Sequence, residues 1–333
     1  MISIAILSFW HVHAKDYARQ AEANPSTQIT AVWDEDPARG RREAQARGVP
    51  FHDDLGALLA SPDVDGVVVT TPTNAHRDVI VAAAQAGKHI FTEKVLALTP
   101  AECREILDAV EHSGVKLTVS LPRLVDGYTL AIRDVLAQGQ LGKVTLARTR
   151  LSHDGAVGRQ WLPAQFFDAE EAGGGALIDL GCHPMYLTRT FLGGMPDTVA
   201  ATYGRVTGRA VEDNAVALLG YANGSLGVVE AGFVNRYSPF TIEVHGTEGS
   251  LLYGTPEARL LIRSSPRGGD DAWAEVPVPA SAPSPFDQWV GHIEQGTTAT
   301  ENIALAVELT TLMDAANRSA ATGETIRLEG RNG

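Results

Sequence analysis

The sequence predicts an α/β protein of two domains: a doubly wound parallel sheet, then an α+β domain with a large, open, mostly antiparallel sheet. Up to about residue 120, short runs rich in Val and Ile alternate with helical stretches, as in parallel sheets that are buried on both faces. Beyond residue 121 strands follow one another directly, which favours antiparallel pairing. The chain has 333 residues, 44% of them hydrophobic, enough for a core in each domain. The predicted boundaries are 1–121 and 122–333.

The first domain contains both kinds of element in alternation. Its predicted strands are ISIAILS, QITAVWD, VDGVVVTTP, KHIFTEK and VKLTVS. The helix AHRDVIVAAAQAG ends at Gly87, where a terminating glycine belongs. In TPAECREILDAVEHSG, Thr99 is the predicted N-cap, Pro100 takes the first helical position and Glu102 completes a capping box. Repeated strand–helix units imply right-handed crossovers, with ligands at the carboxyl ends of the strands.

The second domain opens with a helix and a strand and then changes character. YTLAIRDVLAQG and GGALIDLGCHPMYLTRTFLG are predicted helices, and GKVTLARTRLS between them is a strand. Two strands follow in AVALLGYANGSLGVVEAGF, joined by a turn at Asn223 and Gly224, and FTIEVHGTEGSLLYG is a second hairpin. Residues 264–285, rich in Pro, Ser and Gly, are predicted as a surface excursion. A helical segment at about 286–322 completes the domain.

Charge, cysteine content and apolar runs limit which partners and which cellular compartment the sequence is compatible with. The formal net charge of −13, with no cluster of Lys and Arg, argues against nucleic-acid and anionic-membrane partners. The two cysteines, Cys103 and Cys182, are far apart and offer neither a disulfide framework nor a Cys-rich zinc site. No leader-like segment and no apolar run of about 18 residues is seen. We therefore expect a cytoplasmic protein.

Asp34 is the first candidate functional residue, because it ends the second predicted strand about 20 residues after the first turn. In dinucleotide-binding domains of the Rossmann type, an acidic side chain here accepts hydrogen bonds from ribose hydroxyls and repels a 2′-phosphate. It therefore favours NAD over NADP. An ordinary turn or capping aspartate is an equally good interpretation.

Two further polar groups follow predicted strands. In TTPTNAH, Pro72 stops the strand, while Thr71, Asn74 and His76 can contact a ligand or cap the next helix. Capping is the favoured role for Asn74. In the later strand, Glu93 and Lys94 follow HIF directly and put an ammonium at the edge of the sheet, where it can polarise a hydroxyl group. A solvated pair of charges is the alternative.

A third group lies in GGGALIDLGCHPMY of the second domain. Asp179, His183 and Tyr186 are spaced i, i+4 and i+7, so they share one face of a helix. A carboxylate one turn from an imidazole can fix its tautomer and stabilise its protonated form. The glycines at 173–175 allow close approach of the backbone just before this helix. A local hydrogen bond with no catalytic role remains the competing interpretation.

Taken in order, these segments resemble the Gfo/Idh/MocA family of NAD(P)-dependent oxidoreductases. AGKHIFTEKVLALT is similar to that family's AGKHVxxEKPLA element, with Val95 in place of proline, and GGGALIDLGCH matches GGGxxxDxGxH. GYANGSLGVVEAGF and IEVHGTEGSLLY resemble the family's open-sheet strands, and VSLPRLVDGY resembles the crossover between its domains. The resemblance extends over nearly the whole chain.

The resemblance implies a fold, a reaction and a set of residues. Lys94, Asp179 and His183 would be the catalytic set, with His183 as general base, Lys94 orienting the hydroxyl group and Asp179 holding the imidazole. The cofactor would be NAD, with NADP less favoured, and the substrate a sugar, a polyol or a derivative. Arg123 and Trp161 are candidate substrate contacts, although core packing explains Trp161 equally well. Tyr186, a third candidate, stands where many relatives carry an acidic residue.

The opening stretch ILSFWHVHAKDYA departs from the family, because it contains no glycine. Ser8, Trp10 and His13 take the places of the three glycines of the phosphate loop. We expect binding to persist, because helix N-terminal amides favour an anion whatever the side chains are. Trp10 would point away from the phosphates, and His11 or His13 would supply a hydrogen bond or a positive charge. A metal at the His11-x-His13 pair is the disfavoured alternative, since the pair has no obvious carboxylate or cysteine partner nearby, and no metal is expected there.

The expected cofactor contacts extend over the loop and the three strand ends. They are Phe9, Trp10, His11, Val12, Asp34, Thr71, Pro72, Asn74, His76, Glu93 and Lys94. Two other functions remain open: a glycosidase or lyase that uses NAD transiently with no net redox change, and a ligand sensor that kept the fold. An open sheet would leave an apolar face in water, so a homodimer or homotetramer is expected.

Overall fold

The computed structural model describes residues 1–254, 257–265 and 272–328. The chain divides into two compact units. The first consists of Met1–Leu121 and Pro283–Thr310, and the second of Pro122–Ala282 and Thr311–Gly333. No helix in the described part of the chain is long and apolar enough to cross a membrane.

The first unit contains a six-stranded sheet in the order β3-β2-β1-β4-β5-β6, and every neighbouring pair is parallel. The strands are β1 (Ile2–Leu7), β2 (Thr27–Trp33), β3 (Phe51–His52), β4 (Gly66–Val69), β5 (His89–Thr92) and β6 (Leu117–Val119). The helices of its N-terminal part are α1 (Ala14–Ala23), α2 (Pro37–Arg47), α3 (Leu55–Leu59), α4 (His76–Gln85) and α5 (Pro100–Ser113). The predicted doubly wound sheet is confirmed, with the short β3 as an addition. Strand order reverses between β1 and β4, the place where such sheets bind ligands.

Local signals of the sequence account for the helix ends in this unit. Helix α5 has the predicted capping box between Thr99 and Glu102, and Gly114 ends it in the left-handed conformation. The capping role predicted for Asn74 is wrong. The N-cap of α4 is Ala75, which makes no side-chain capping bond, and Asn74 lies in a short 3₁₀ turn at Thr73–Ala75.

The second unit is built on a nine-stranded sheet in the order β14-β13-β12-β11-β7-β10-β9-β8-β15. Its strands are β7 (Val144–Ser152), β8 (Thr198–Gly204), β9 (Asn214–Gly220), β10 (Leu226–Gly232), β11 (Thr241–Gly246), β12 (Gly249–Tyr253), β13 (Leu260–Ser264), β14 (Ala274–Glu275) and β15 (Ile326–Arg327). Only the β7–β10 pair is parallel among the described neighbours. The predicted open, mostly antiparallel sheet is therefore confirmed. The predicted surface excursion at 264–285 contains β14, and its residues 266–271 lie outside the described part.

The helices of the second unit are α6 (Gly127–Ala137), a four-residue α7 (Ala169–Ala172) and α8 (Cys182–Phe191). The prediction of one long helix over 174–193 is wrong. A π-helical turn at Leu177–Gly181 precedes α8. Pro184 supplies a reason, because it has no N–H to bond the carbonyl of Leu180 in the α-helical pattern. Such π turns inside helices are frequent at functional sites.

The C-terminal helices are α9 (Pro285–Gln295) and α10 (Thr300–Thr322), and the boundary between the units falls within α10. The prediction had placed this whole segment in the second domain, whereas 283–310 groups with the first unit. The reason is apolar packing. The rings of Phe286 and Trp289 lie 5.5 and 6.0 Å from that of Phe91 on β5, and all three side chains are fully buried.

Candidate active site

The glycine-free loop that follows β1 is held in a tight turn by the side chain of its first residue. Ser8 stands where the first glycine would be and adopts a left-handed conformation, with φ of 79°. Its Oγ atom accepts a hydrogen bond from the Trp10 N–H at 3.0 Å and donates one to Glu35 Oε1 at 2.9 Å. The Ser8 hydroxyl therefore stabilises a turn for which glycine would otherwise be needed.

Most amides of this loop already have partners within the unit. The Phe9 N–H donates to Asp34 Oδ2 at 2.9 Å, and the His11 N–H to the Thr70 carbonyl at 3.2 Å. The Val12 N–H donates to no residue that the structure describes, and the Val12 side chain is 46% exposed. Trp10 is only 5% exposed, so its ring lies in the protein interior. Val12 is thus the loop residue best placed to offer an amide to an anion.

Asp34 connects this loop to helix α2. Besides the Phe9 amide, it accepts hydrogen bonds from the Asp36 N–H at 2.8 Å and from Arg39, whose Nη2 lies 2.7 Å from Oδ1. Arg39 also contacts Glu35 Oε1 at 2.6 Å. The absence of a side chain at Gly40 allows α2 to lie this close to Asp34, since a Cβ atom at Gly40 would lie 2.6 Å from Asp34 Cβ. Asp34 is therefore a structural acceptor as well as the carboxylate expected near a ribose.

The end of β4 presents a buried hydroxyl group that has no partner among the described residues. Thr71 Oγ1 is buried and makes no hydrogen bond to the described residues. Beyond Pro72, His76 is buried and its Nδ1 lies 2.9 Å from the carbonyl of Val95, which only accepts, so the ring proton is on Nδ1. Burial lowers the pKa of His76.

The end of β5 brings Glu93 into contact with the loop. Glu93 Oε1 lies 3.3 Å from Nδ1 of His13, 3.9 Å from Nε2 of His11 and 4.0 Å from Nζ of Lys94. Burial alone would raise the pKa of Glu93, but the two imidazoles and the ammonium outweigh it and hold that pKa far below its usual range. The expectation that the His11-x-His13 pair lacks a carboxylate partner is therefore wrong. The peptide bond between Lys94 and Val95 is cis.

In the second unit, the three glycines before the π turn allow two backbone segments to touch. Gly174 has φ of 153°, and a Cβ atom on Gly175 would lie 2.0 Å from the carbonyl oxygen of Glu212. The Glu212 carboxylate accepts hydrogen bonds from the amides of Gly175 at 3.0 Å and Leu177 at 2.9 Å. Burial raises the pKa of Glu212, although these bonds oppose the shift. This arrangement holds the turn that carries Asp179.

His183 on α8 is buried, and its Nδ1 lies 3.0 Å from the hydroxyl oxygen of Tyr186. That oxygen also accepts a hydrogen bond from the Arg123 N–H at 3.1 Å. The Arg123 guanidinium donates to the Tyr128 hydroxyl at 3.2 Å and lies 4.4 Å from the ring centre of Phe240. Tyr186, only 1% exposed, thus lies behind the imidazole and links it to the segment that bears Arg123.

Sequence reasoning missed His153, which follows β7. Its ring stacks on Phe233 at 5.1 Å and lies 4.6 Å from the ring of Trp161. Burial lowers the pKa of His153, and the negative charge of Asp179 acts in the opposite direction. Trp161 is 54% exposed and borders an open groove, so its alternative interpretation as a core residue is wrong. The only signal for His153 was a histidine directly after a predicted strand.

The residues at the strand ends of the first unit fit a dinucleotide. Within the described part of the chain, Thr71 Oγ1 is a buried polar atom without a partner at the switch point of the sheet, and α1 begins directly after the loop. These features fit NAD, which Val12, the start of α1 and Asp34 would help to hold. The Arg39 contact with Asp34 would have to loosen for ribose hydroxyls to reach that carboxylate.

Comparisons with known proteins agree with both units. Residues 9–121 match the family model described as "Oxidoreductase family, NAD-binding Rossmann fold", and residues 129–252 match the "GFO/IDH/MocA C-terminal domain". The scyllo-inositol 2-dehydrogenase (NAD(+)) of Bacillus subtilis is 32% identical over 74% of this chain and 70% of its own length. The 1,5-anhydro-D-fructose reductase of Ensifer adhaerens is 33% identical over 59% of this chain, and the match spans 58% of that enzyme.

Solved structures share the fold over the full length. A levoglucosan dehydrogenase in complex with NADH and levoglucosan superposes with a TM-score of 0.84, covering 98% of this chain and 99% of that one at 22% identity. GenD2 from gentamicin A biosynthesis, in complex with NAD, gives a TM-score of 0.83 at 24% identity. With both domain models matched and the inositol dehydrogenase similar over most of both chains, this chain belongs to the GFO/IDH/MocA family of NAD-binding oxidoreductases.

Proposed function

We propose that this enzyme transfers a hydride between a hydroxyl-bearing carbon of a sugar or polyol and NAD. One observation carries the proposal: Nδ1 of the buried His183 imidazole lies within hydrogen-bonding distance, 3.0 Å, of the Tyr186 hydroxyl oxygen. An imidazole that donates its Nδ1 proton to that oxygen presents Nε2 as a base. The relatives named for acting on levoglucosan, scyllo-inositol and 1,5-anhydro-D-fructose support a polyhydroxylated substrate.

The proposed roles divide among three side chains. His183 Nε2 takes the proton of the substrate hydroxyl group, a contribution of about 10²- to 10⁴-fold in rate. The Lys94 ammonium donates a hydrogen bond to the same hydroxyl oxygen and stabilises its developing negative charge. Asp179 stabilises the positive charge that the imidazole acquires. NAD, when bound, supplies the acceptor for the hydride.

Three second-unit residues would set which hydroxyl groups are accepted. Arg123 is held by Tyr128 and Phe240 and offers a fixed donor, and Trp161 offers an exposed ring face to the apolar face of a sugar. Tyr186 acts on the reaction through His183 and the backbone of Arg123, so we assign it a positioning role.

Lys94→Ala tests the reaction. Turnover of levoglucosan, scyllo-inositol and a panel of aldoses is followed by NADH absorbance, and we expect kcat to fall about 10²- to 10⁴-fold with the thermal unfolding temperature preserved. Lys15→Ala is the matched control, because Lys15 lies nearby on α1 but its side chain is 62% exposed. Undiminished turnover in the Lys94 variant would refute the proposed role.

The same assay separates the two other functions. A glycosidase or lyase that oxidises its substrate only transiently would release p-nitrophenol from p-nitrophenyl glycosides without accumulating NADH. A ligand sensor would bind sugars and show neither signal. Stoichiometric NADH formation contradicts both alternatives.

We further propose that a second copy of the chain covers the outer face of the nine-stranded sheet. Val216 and Leu218 on β9 and Leu226 on β10 are 41%, 51% and 53% exposed. Val216 pairs with Glu230 and Leu218 with Val228, so the three apolar side chains lie on one face of the sheet. Leu218→Glu should convert a homodimer or homotetramer into smaller species in analytical ultracentrifugation. An unchanged mass would refute this interface.

The cytoplasmic location stays a prediction.

A further inference from the structure

Three side chains of the first unit converge beside the loop and take no part in the proton transfer described above. Nδ1 of His13 and Nε2 of His11 lie 3.3 and 3.9 Å from the same Oε1 atom of Glu93. One ligand-type atom from each residue lies within 4.8 Å of those of the other two. We propose that His11, His13 and Glu93 bind a divalent transition-metal ion of the zinc class.

The spacing of the donor atoms is close to what such an ion requires. Tetrahedral zinc binds imidazole nitrogen at about 2.0–2.1 Å, which puts neighbouring ligand atoms about 3.3–3.4 Å apart. The His13–Glu93 separation of 3.3 Å already has this value. The His11–Glu93 separation of 3.9 Å exceeds it, and the three ligand atoms, which lie within 4.8 Å of one another, must draw together around the ion by side-chain rotation.

The carboxylate is oriented by a second layer of hydrogen bonds. The Tyr17 hydroxyl contacts Glu93 Oε2 and lies 2.8 Å from Oγ of Ser120, and Tyr17 is buried. Oε2 is thereby held, and Oε1 is turned toward the two imidazoles. Metal-binding carboxylates in proteins are commonly oriented by partners of this kind.

The donor set determines the class of ion. Two imidazoles and one carboxylate suit Zn²⁺, Fe²⁺, Co²⁺ or Ni²⁺, whereas Mg²⁺ and Ca²⁺ need a shell of oxygen ligands. The side chain of His13 is 38% exposed, which gives an ion a route from solvent. A water molecule or a substrate oxygen can occupy the remaining coordination positions.

Binding has two costs that the structure identifies. Nζ of Lys94 lies 4.0 Å from Glu93 Oε1 and competes with a cation for that oxygen. The His13 N–H lies 3.2 Å from Nδ1 of His11, so a metal on Nε2 requires the ring proton to move to Nδ1 and this bond to break. The metal would therefore release the His13 amide at the start of α1, where it can donate to an anion.

The test is a titration of the full-length protein, carrying no polyhistidine tag and stripped with EDTA, with CoCl₂ and then ZnCl₂. We expect one equivalent of Co²⁺ to produce the intense visible bands of a tetrahedral ion, and Zn²⁺ to abolish them. Isothermal titration with ZnCl₂ gives the affinity. An absence of bands and of binding heat overturns the proposal.

Four variants locate the ion. His13→Ala and Glu93→Gln should each abolish the Co²⁺ bands, and Tyr17→Phe should weaken Zn²⁺ binding about 10-fold through the carboxylate. His112→Asn, an exposed residue in the last turn of α5, should bind as the wild type does. Bands that survive in His13→Ala, whose partly exposed side chain makes misfolding a small risk, place the ion elsewhere and refute the proposed site.

Discussion

The loop at 8–13 and the glycine turn at 173–175 solve the same problem in opposite ways. Each connects to a helix that carries functional residues, α1 in the first unit and α8 in the second. The second turn omits side chains, and Gly175 then touches the Glu212 carbonyl. The loop keeps its side chains, and the Ser8 hydroxyl satisfies the Trp10 amide while Ser8 itself adopts positive φ. Close backbone approach demands glycine, but a left-handed turn without such an approach can be stabilised by a hydroxyl group.

The comparison makes glycine indispensable at one turn and replaceable at the other. Gly175→Ala should destabilise the protein by about 3 kcal/mol, because its Cβ atom cannot enter without moving the backbone of Glu212. The thermal unfolding temperature measures the loss. Gly204→Ala is the control, since its Cβ atom would meet nothing nearer than 3.5 Å. Equal stability of the two variants would show that the turn at 173–175 adapts more easily than its contacts indicate.

Ser8 sharpens the contrast. Ser8→Ala should cost about 2 kcal/mol, because it leaves the buried Trp10 amide without an acceptor, and it gives no relief from the left-handed strain that Ser8 already bears. Ser8→Gly loses the same hydrogen bond but removes the conformational strain, so we expect about half that loss. Chemical denaturation measures both values. A larger loss in Ser8→Gly than in Ser8→Ala would contradict the strain assigned to the left-handed conformation, and an unchanged stability of both variants would contradict the role assigned to the hydroxyl group.

The smallest effect concerns pH. Glu212 accepts the amide bonds of the glycine turn, and burial raises its pKa above the ordinary value of 4.5. A folded state that holds its proton more tightly than the unfolded state gains stability as pH falls. Lowering the pH from about 7 to about 5 should therefore stabilise the wild type relative to Glu212→Gln. Glu170→Gln, at an exposed position near the same turn, should show no such difference. If the stabilities of Glu212→Gln and Glu170→Gln changed with pH in the same way, Glu212 would not be the source of the pH dependence.

Short-range sequence signals predicted more of the fold than of the candidate active site. The capping box at Thr99 and Glu102 and the apolar strands have causes within a few residues, and these predictions are confirmed. The π turn at Leu177–Gly181 was missed, because spacing alone does not distinguish it from an α-helix.

The site required contacts between residues far apart in the sequence. Glu93 contacts His13, which lies 80 residues away in the sequence. The negative charge of Asp179, on another element, acts on the pKa of His153. The pairing of Asp34 with Arg39 is local, but its competition with ribose binding follows only from the orientation of both side chains. The catalytic roles of Lys94, Asp179 and His183 stay predictions until the variants are measured.

The return of Pro283–Thr310 to the first unit has a consequence for biosynthesis. When Leu121 leaves the ribosome, the nascent chain still lacks Phe286 and Trp289, which pack against Phe91, and Asn302, whose side chain bonds both the amide and the carbonyl of Val119. The first unit is therefore complete only when nearly the whole chain has been translated. Until then, the side chain of Phe91 on β5 lacks the aromatic rings that cover it in the folded protein. An isolated cofactor domain would accordingly need residues 122–282 to be replaced by a short linker that joins residue 121 to residue 283, because truncation after residue 121 removes part of its core.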